Sequence, residues 1–294
     1  MEGRRTNVTI ADALREASAT LRASGVREAR RDAGVLLAHA TARDRAFLIA
    51  HADEELTTEQ LASFRASVER RGAGEPLQYI TGRQEFYGLE FEVNPAVLIP
   101  RPETELLVET ALEILGETTS PLVCDVGTGS GCVAVSILHA RTDARAFALD
   151  ISHAALRVAA ANAARHSVIE RTTLLVSDCF DALRTDEHRE TRFDLVASNP
   201  PYVAEDELAS LQREVSEHEP RAALTPGGDG LSVIRRLIND APRFLKPRGH
   251  LVFEIGFGQS ERVAALIDAR TWTLLDVRRD LQGIPRTVVL RLAR

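Results

Sequence analysis

The 294-residue chain is short of several residue types, and each shortage removes a class of explanation. Its 3 cysteines, Cys124, Cys132 and Cys179, are an odd number without C-x-x-C spacing, so neither a disulfide scaffold nor a metal site is expected. They read as small core residues, with a reactive thiol as the alternative only at Cys179. Lysine occurs once, at Lys246; the arginine bias is explained more cheaply by genomic base composition than by function. Positive charge is outweighed, 36 Lys and Arg against 43 Asp and Glu, a net charge of −7. Broad affinity for nucleic acid needs a basic face, none is visible, and no stable nucleic-acid binding is expected. No apolar run approaches the roughly 20 residues that span a bilayer. The first residues, with Arg4 and Arg5 among polar neighbours, lack the apolar stretch of a signal peptide. The expectation is a cytoplasmic monomer with no membrane partner.

With 44% hydrophobic residues the chain can bury a substantial core, and its length suggests two domains. Residues 1–72 show helical periodicity and no strand run. Thr9 starts one helix, with Leu14, Ala17 and Leu21 as its apolar stripe; residues 29–40 form a second, with Val35, Leu36 and Leu37 buried. Thr57 or Thr58 caps a third that carries Leu61, Phe64 and Val68. Such a bundle has no catalytic spacing and reads as a docking or substrate-recognition module. The Gly- and Pro-containing stretch at 72–76 marks a boundary, and 73–100 reads as a hairpin-like connector with short strands at 79–81, 85–87 and 89–93. Pro102 opens a helix running to about Leu115.

The third segment, 101–294, alternates strands and helices. Strands are expected at 122–126, 144–150, 172–178, 193–198, 249–256, 272–279 and 286–293, and helices near 131–140, 153–166, 229–245 and 258–269. This is an α/β pattern, a mostly parallel sheet with ligands at the carboxyl ends of its strands. The loop between the last two strands is too short for a parallel crossover, so the final strand is antiparallel. Residues 227–230, Gly-Gly-Asp-Gly, read as a turn before a helix, with a phosphate-binding loop as the alternative. The long acidic segment between Val203 and Leu224 is expected to form a wall or lid over a substrate.

Two turns carry chemistry. After the apolar run 193–198 comes Asn199-Pro200-Pro201-Tyr202. Pro200 lacks an N–H and pushes Asn199 toward extended backbone, so the turn presents two acceptors, the Asn199 carboxamide oxygen and the Pro200 carbonyl. Two acceptors suit a planar NH2 group, and Tyr202 adds a flat face, its ring rather than its hydroxyl being the part expected to matter. The plain alternative is a strand end closed by a Pro-Pro turn with a core Tyr. Upstream, Asp125-Val126-Gly127-Thr128-Gly129-Ser130-Gly131 reads as a strand running through a Gly-rich turn into a helix. Asp150 closes the next strand, where a carboxylate can hold two ribose hydroxyls. The dinucleotide fingerprint fails because Cys132 stands at its third Gly, and Asp125 would repel a pyrophosphate but not a sulfonium.

These two motifs at this separation resemble class I S-adenosylmethionine-dependent N-methyltransferases. More narrowly the chain is similar to the HemK/PrmC family, which methylates a glutamine side-chain nitrogen in class I peptide-chain release factors. Residues 76–82, 85–88, 98–105, 219–224, 230–231 and 249–251 also look like family segments, so the resemblance covers about residues 76–290. Asn-Pro-Pro-Tyr alone is shared with DNA adenine methylases; Ile99-Pro100-Arg101-Pro102 beside it is more specific. The resemblance implies a Rossmann-like methyltransferase sheet after a small helical domain, S-adenosylmethionine as cofactor and a release factor as protein partner. It places Gly127, Thr128, Gly129, Ser130, Gly131, Asp150, Asp178, Cys179, Phe180 and Asn199 at the cofactor, and Asn199, Pro200, Pro201 and Tyr202 at the substrate, with Asn199, Pro200 and Tyr202 catalytic. Cys179 stands where family members can have Trp beside the adenine, and Phe180 is the expected substitute. Arg101 is read either as a surface charge at a helix end or, from the resemblance, as close to the active site. A ribosomal-protein glutamine, a nucleic-acid amino group and a non-catalytic cofactor-binding module remain as alternatives.

Overall fold

The computed structural model describes residues 5–293; the reading of the N-terminus at Arg4 lies outside them. The chain divides into two compact units, one running to Gly82 and including Gln212–His218, the other made of Arg83–Leu211 and residues from Glu219 onward. Among the described residues no helix is long and apolar enough to cross a membrane.

The first unit packs the helices Ile10–Ala23, Ala29–Thr41 and Thr58–Gly72 around Leu21, Leu36, Leu37 and Phe64. Thr9 accepts from the Asp12 amide at 3.1 Å, and Thr57 with Gln60 forms a reciprocal capping box, so both helices start where the hydroxyls satisfy otherwise unpaired amides. Arg71 is mostly buried and bridges Asp32 (2.8 Å) and Glu214 (2.7 Å), which ties part of the acidic segment into this unit. Three expectations are corrected. Two short strands, β1 (Arg5–Thr9) and β2 (Glu55–Thr57), pair antiparallel where none was expected, because stretches this short carry no readable alternation. Val35 is exposed beside buried Leu36 and Leu37, since three consecutive residues cannot share one helix face. Residues 79–81 lie within a helical turn, Leu77–Thr81, bracketed by Pro76 and by Gly82 in the left-handed region; that bracketing overrides the strand preference of Tyr-Ile-Thr.

The second unit opens with a hairpin, β3 (Arg83–Phe86) and β4 (Leu89–Glu92). Then follow β5 (Leu122–Val126), β6 (Arg145–Asp150), β7 (Thr172–Val176), β8 (Phe193–Ser198), β9 (Leu245–Glu254), β10 (Trp272–Arg279) and β11 (Pro285–Leu292). They form one seven-stranded sheet in the order β10-β11-β9-β8-β5-β6-β7. β5 to β9 pair parallel, while β11 is antiparallel to both its neighbours, as the short loop before it required. Alternate residues feed two cores. Val126, Val196 and Phe253 pack on one face, Val123, Ala197 and Val252 on the other, so both faces are covered.

Strand register then fixes the site. Val126 lies opposite Leu149, Asp125 opposite Ala197, and Ser198 opposite Phe253. The residues one step further along, Asp150, Gly127, Asn199 and Glu254, therefore form a row at the carboxyl rim, with neighbouring strands about 4.8 Å apart.

Candidate active site

Gly127, Gly129 and Gly131 all have positive φ, 75°, 54° and 82°. Each serves a different need. A Cβ at Gly131 would lie 3.2 Å from Ala159, so this glycine lets the helix Cys132–Ala140 pack closely on its neighbour. Above Gly127 and Gly129 there is open space, a cradle with backbone for its floor. The amides of Gly127 and Thr128 donate to the Leu149 carbonyl at 2.8 and 2.9 Å. Asp150 accepts from the Gly129 amide on one oxygen and from the Ser152 amide on the other, both at 2.9 Å. Its carboxylate is thus fixed at the edge of the cradle, and partial burial raises its pKa. Asp125 is buried beneath the loop, where it accepts from the Thr128 hydroxyl at 2.7 Å and the Ala134 amide at 3.3 Å. It holds the turn in shape, and burial pushes its pKa up to about 6.

Past β7 the turn is set by Ser177, whose hydroxyl donates to the Cys179 carbonyl at 2.8 Å. Asp178 pairs with Arg236 at 2.6 Å and is about half exposed. Cys179 adopts φ 50°, and this left-handed step sends the next side chain inward. Phe180 is fully buried and stacks on Phe244 at 5.1 Å between centroids. Its ring has no face left for a ligand, so an adenine-stacking role does not fit its position.

At the end of β8, the Asn199 carboxamide donates to the Thr104 hydroxyl at 2.9 Å. Thr104 in turn donates to Glu254 at 2.7 Å, and the other oxygen of Glu254 accepts from the Tyr202 hydroxyl at 3.1 Å. Thr104 and Glu254 are each 1% exposed, and burial pushes Glu254 up to about 6 and Tyr202 well above its ordinary value. The Tyr202 hydroxyl is therefore in use, contrary to the expectation that only its ring matters. Tyr202→Phe should leave one Glu254 oxygen without a donor, cost about 1–3 kcal/mol in thermal unfolding and slow any reaction at the turn. An unchanged melting temperature would show that the contact carries no weight. The Tyr202 carbonyl accepts from Gln259 at 2.8 Å, fixing the turn from its far end.

Arg101 is one-third exposed and pairs with the buried Glu219, which also accepts from the Ile99 amide at 3.2 Å. Arg101 is thus tied to a buried carboxylate and is not a free surface charge at a helix end. Sequence reasoning missed Thr104, Glu254 and Gln259. Glu254 left a signal, an acid ending an apolar strand in the manner of Asp125 and Asp150.

Comparison with known proteins agrees with this architecture. Residues 12–82 match the PrmC N-terminal domain and residues 102–234 the methyltransferase small domain. Among solved structures, the hMettl16 catalytic domain bound to a 3′UTR hairpin superposes with a TM-score of 0.55 at 14% identity, over 80% of each chain, a likeness of fold alone. The "Release factor glutamine methyltransferase" of Cereibacter sphaeroides is 46% identical over 96% of this chain and 98% of its own length. That of Nitratidesulfovibrio vulgaris is 41% identical over 97% and 96%, and that of Burkholderia pseudomallei 45% identical over 87% and 89%. With identity this high across both domains, and with the Gly-rich cradle and the Asn-Pro-Pro-Tyr turn set side by side on one rim, the chain belongs to the release factor glutamine methyltransferase family.

Proposed function

We propose that this protein transfers a methyl group from S-adenosylmethionine to the side-chain amide nitrogen of a glutamine in class I peptide-chain release factors. One observation supports it above the rest: Asn199 lies in the same row as Gly127 and Asp150, with its NH2 already held by Thr104. Among the described residues its Oδ1 accepts nothing and remains for a substrate. The cradle fits the cofactor. The space over Gly127 and Gly129 admits close approach, Asp150 suits vicinal hydroxyls, and no phosphate-binding cation is needed. Thr128, Ser130 and Gly131 shape the loop, and Asp178 with Cys179 borders its adenine end. The cofactor supplies an electrophilic methyl on a sulfonium.

The residues of this chain do the positioning. An amide nitrogen is a poor nucleophile because its lone pair is delocalised into the carbonyl. Asn199 Oδ1 and the Pro200 carbonyl accept its two hydrogens and favour a geometry that directs the lone pair toward the methyl; Pro201 keeps the turn rigid, and the Tyr202 ring aligns the planar group. No base is required at the turn, since the product loses its proton after transfer. The helical unit serves substrate recognition, and a substrate that works on the ribosome puts the reaction in the cytoplasm. The test is incubation with labelled S-adenosylmethionine and separate panels of release factors, ribosomal proteins and DNA. Label on a release-factor glutamine is expected, and label on DNA instead would overturn the reading.

Asp150→Ala should weaken S-adenosylmethionine binding by about 2 kcal/mol in calorimetry, through loss of charge-assisted hydroxyl contacts. NAD should not bind the wild type. Preference for NAD would refute the cradle's assignment.

A further inference from the structure

Thr104 and Glu254 lie 150 residues apart in sequence, yet they and Asn199 form one buried hydrogen-bonded chain whose polarity is dictated by chemistry. A carboxylate only accepts. Glu254 takes one hydrogen from Thr104 and one from Tyr202, which commits the single hydroxyl hydrogen of Thr104. Thr104 can then offer Asn199 only a lone pair, and a lone pair accepts from NH2 and repels a carbonyl oxygen. Rotating the carboxamide by half a turn would set Oδ1 against that lone pair.

From this we infer that Thr104 and Glu254 are positioning residues that fix the orientation of the Asn199 carboxamide, so that its oxygen and not its NH2 faces the acceptor nitrogen. The inference rests on the proposed role of Asn199 at the methyl acceptor. Burial pushes the Glu254 pKa up to about 6, and the hydrogen bonds from Thr104 and Tyr202 act against that rise, so that above neutral pH the group is a carboxylate that accepts from both. A rotated Asn199 would present a donor to a donor, and the substrate amide would lose the acceptor on which its geometry depends.

Three variants test it with a full-length release factor as methyl acceptor. Thr104→Val keeps the volume and removes the hydroxyl. It should lower kcat about tenfold while leaving KM and the Kd for S-adenosylmethionine within about twofold, the pattern of an interaction felt in the transition state. Thr104→Ser keeps the hydroxyl and should restore kcat to within about twofold of wild type. Glu254→Gln brings a donor of the same size, lets Thr104 reverse its hydrogen bond, and should also cost about tenfold in kcat. It serves alone if Thr104→Val fails to fold. The decisive arm uses an Asn199→Ala background, where Thr104→Val should cost nothing further, because its effect runs through Asn199. A full additional loss in that background, or wild-type kcat in both Thr104→Val and Glu254→Gln, overturns the inference and leaves the role of Asn199 standing. Near-normal turnover of Asn199→Ala itself overturns both.

Discussion

Asn199→Ala is expected to slow methyl transfer roughly a hundredfold or more, the scale of deleting one fixed electrostatic contact at a reacting centre. Cofactor affinity should change little, because the cradle is built from Gly127 to Gly131 and Asp150, none of which bonds to Asn199. Asn199→Asp is the sharper variant. It keeps an oxygen toward the substrate, yet it has no NH2 for Thr104, whose only hydrogen is committed to Glu254. A carboxylate there would face a lone pair and stand near a second buried acid, so Asp should rescue little of the loss. Single-turnover rates on a full-length release factor, beside calorimetry with S-adenosylmethionine, separate the two effects. A variant with normal single-turnover rates, or one whose defect lies wholly in cofactor binding, would remove Asn199 from the chemistry.

The row of rim residues was legible in the sequence because each ends an apolar run, and parallel strands of similar length bring such ends together. Asp150 and Asn199 were found that way, and Glu254 carried the same signal. What could not be read was partnership. That Thr104 lies between Asn199 and Glu254 depends on the turn Pro102–Thr104 reaching the sheet across more than 90 residues of sequence, and no local pattern encodes it. Phe180 failed for a different reason. Its identity as an aromatic near the cofactor was visible, but the left-handed φ at Cys179, which turns the ring into the core against Phe244, was not. Cys179 itself is not a residue type that advertises such a conformation. In the first unit, helix starts were readable because Thr9 and Thr57 are strong caps, whereas the β1–β2 pairing rests on two segments too short to show alternation.

Gly230→Ala should be among the most damaging single-methyl additions in the catalytic unit. Gly230 has φ +78°, and a Cβ placed on it would lie 2.4 Å from the Tyr202 carbonyl oxygen, 3.1 Å from the Ala204 amide nitrogen and 3.2 Å from Gln259 Nε2. The left-handed backbone costs an alanine about 1–2 kcal/mol. The overlap with backbone adds a packing penalty of about 1–3 kcal/mol, because the nearest atom belongs to the chain and cannot swing aside. A total near 3 kcal/mol corresponds to a fall in melting temperature of roughly 6–12 °C for a unit of this size. Relief of the clash requires Tyr202 to move, and the Gln259 bond to its carbonyl goes with it. Methyl transfer should therefore drop together with stability, while S-adenosylmethionine binding stays close to normal. Gly228→Ala is the matched control. It has φ 54° with nothing within 4 Å of an added Cβ, so only the backbone cost applies and the melting temperature should fall by a few degrees at about 1–2 kcal/mol. The comparison also decides what residues 227–230 are for. A turn that seats the Asn-Pro-Pro-Tyr segment predicts a large difference between the two variants in stability and transfer, whereas equal melting temperatures with unchanged transfer in both would show that Gly230 does not hold Tyr202 in place.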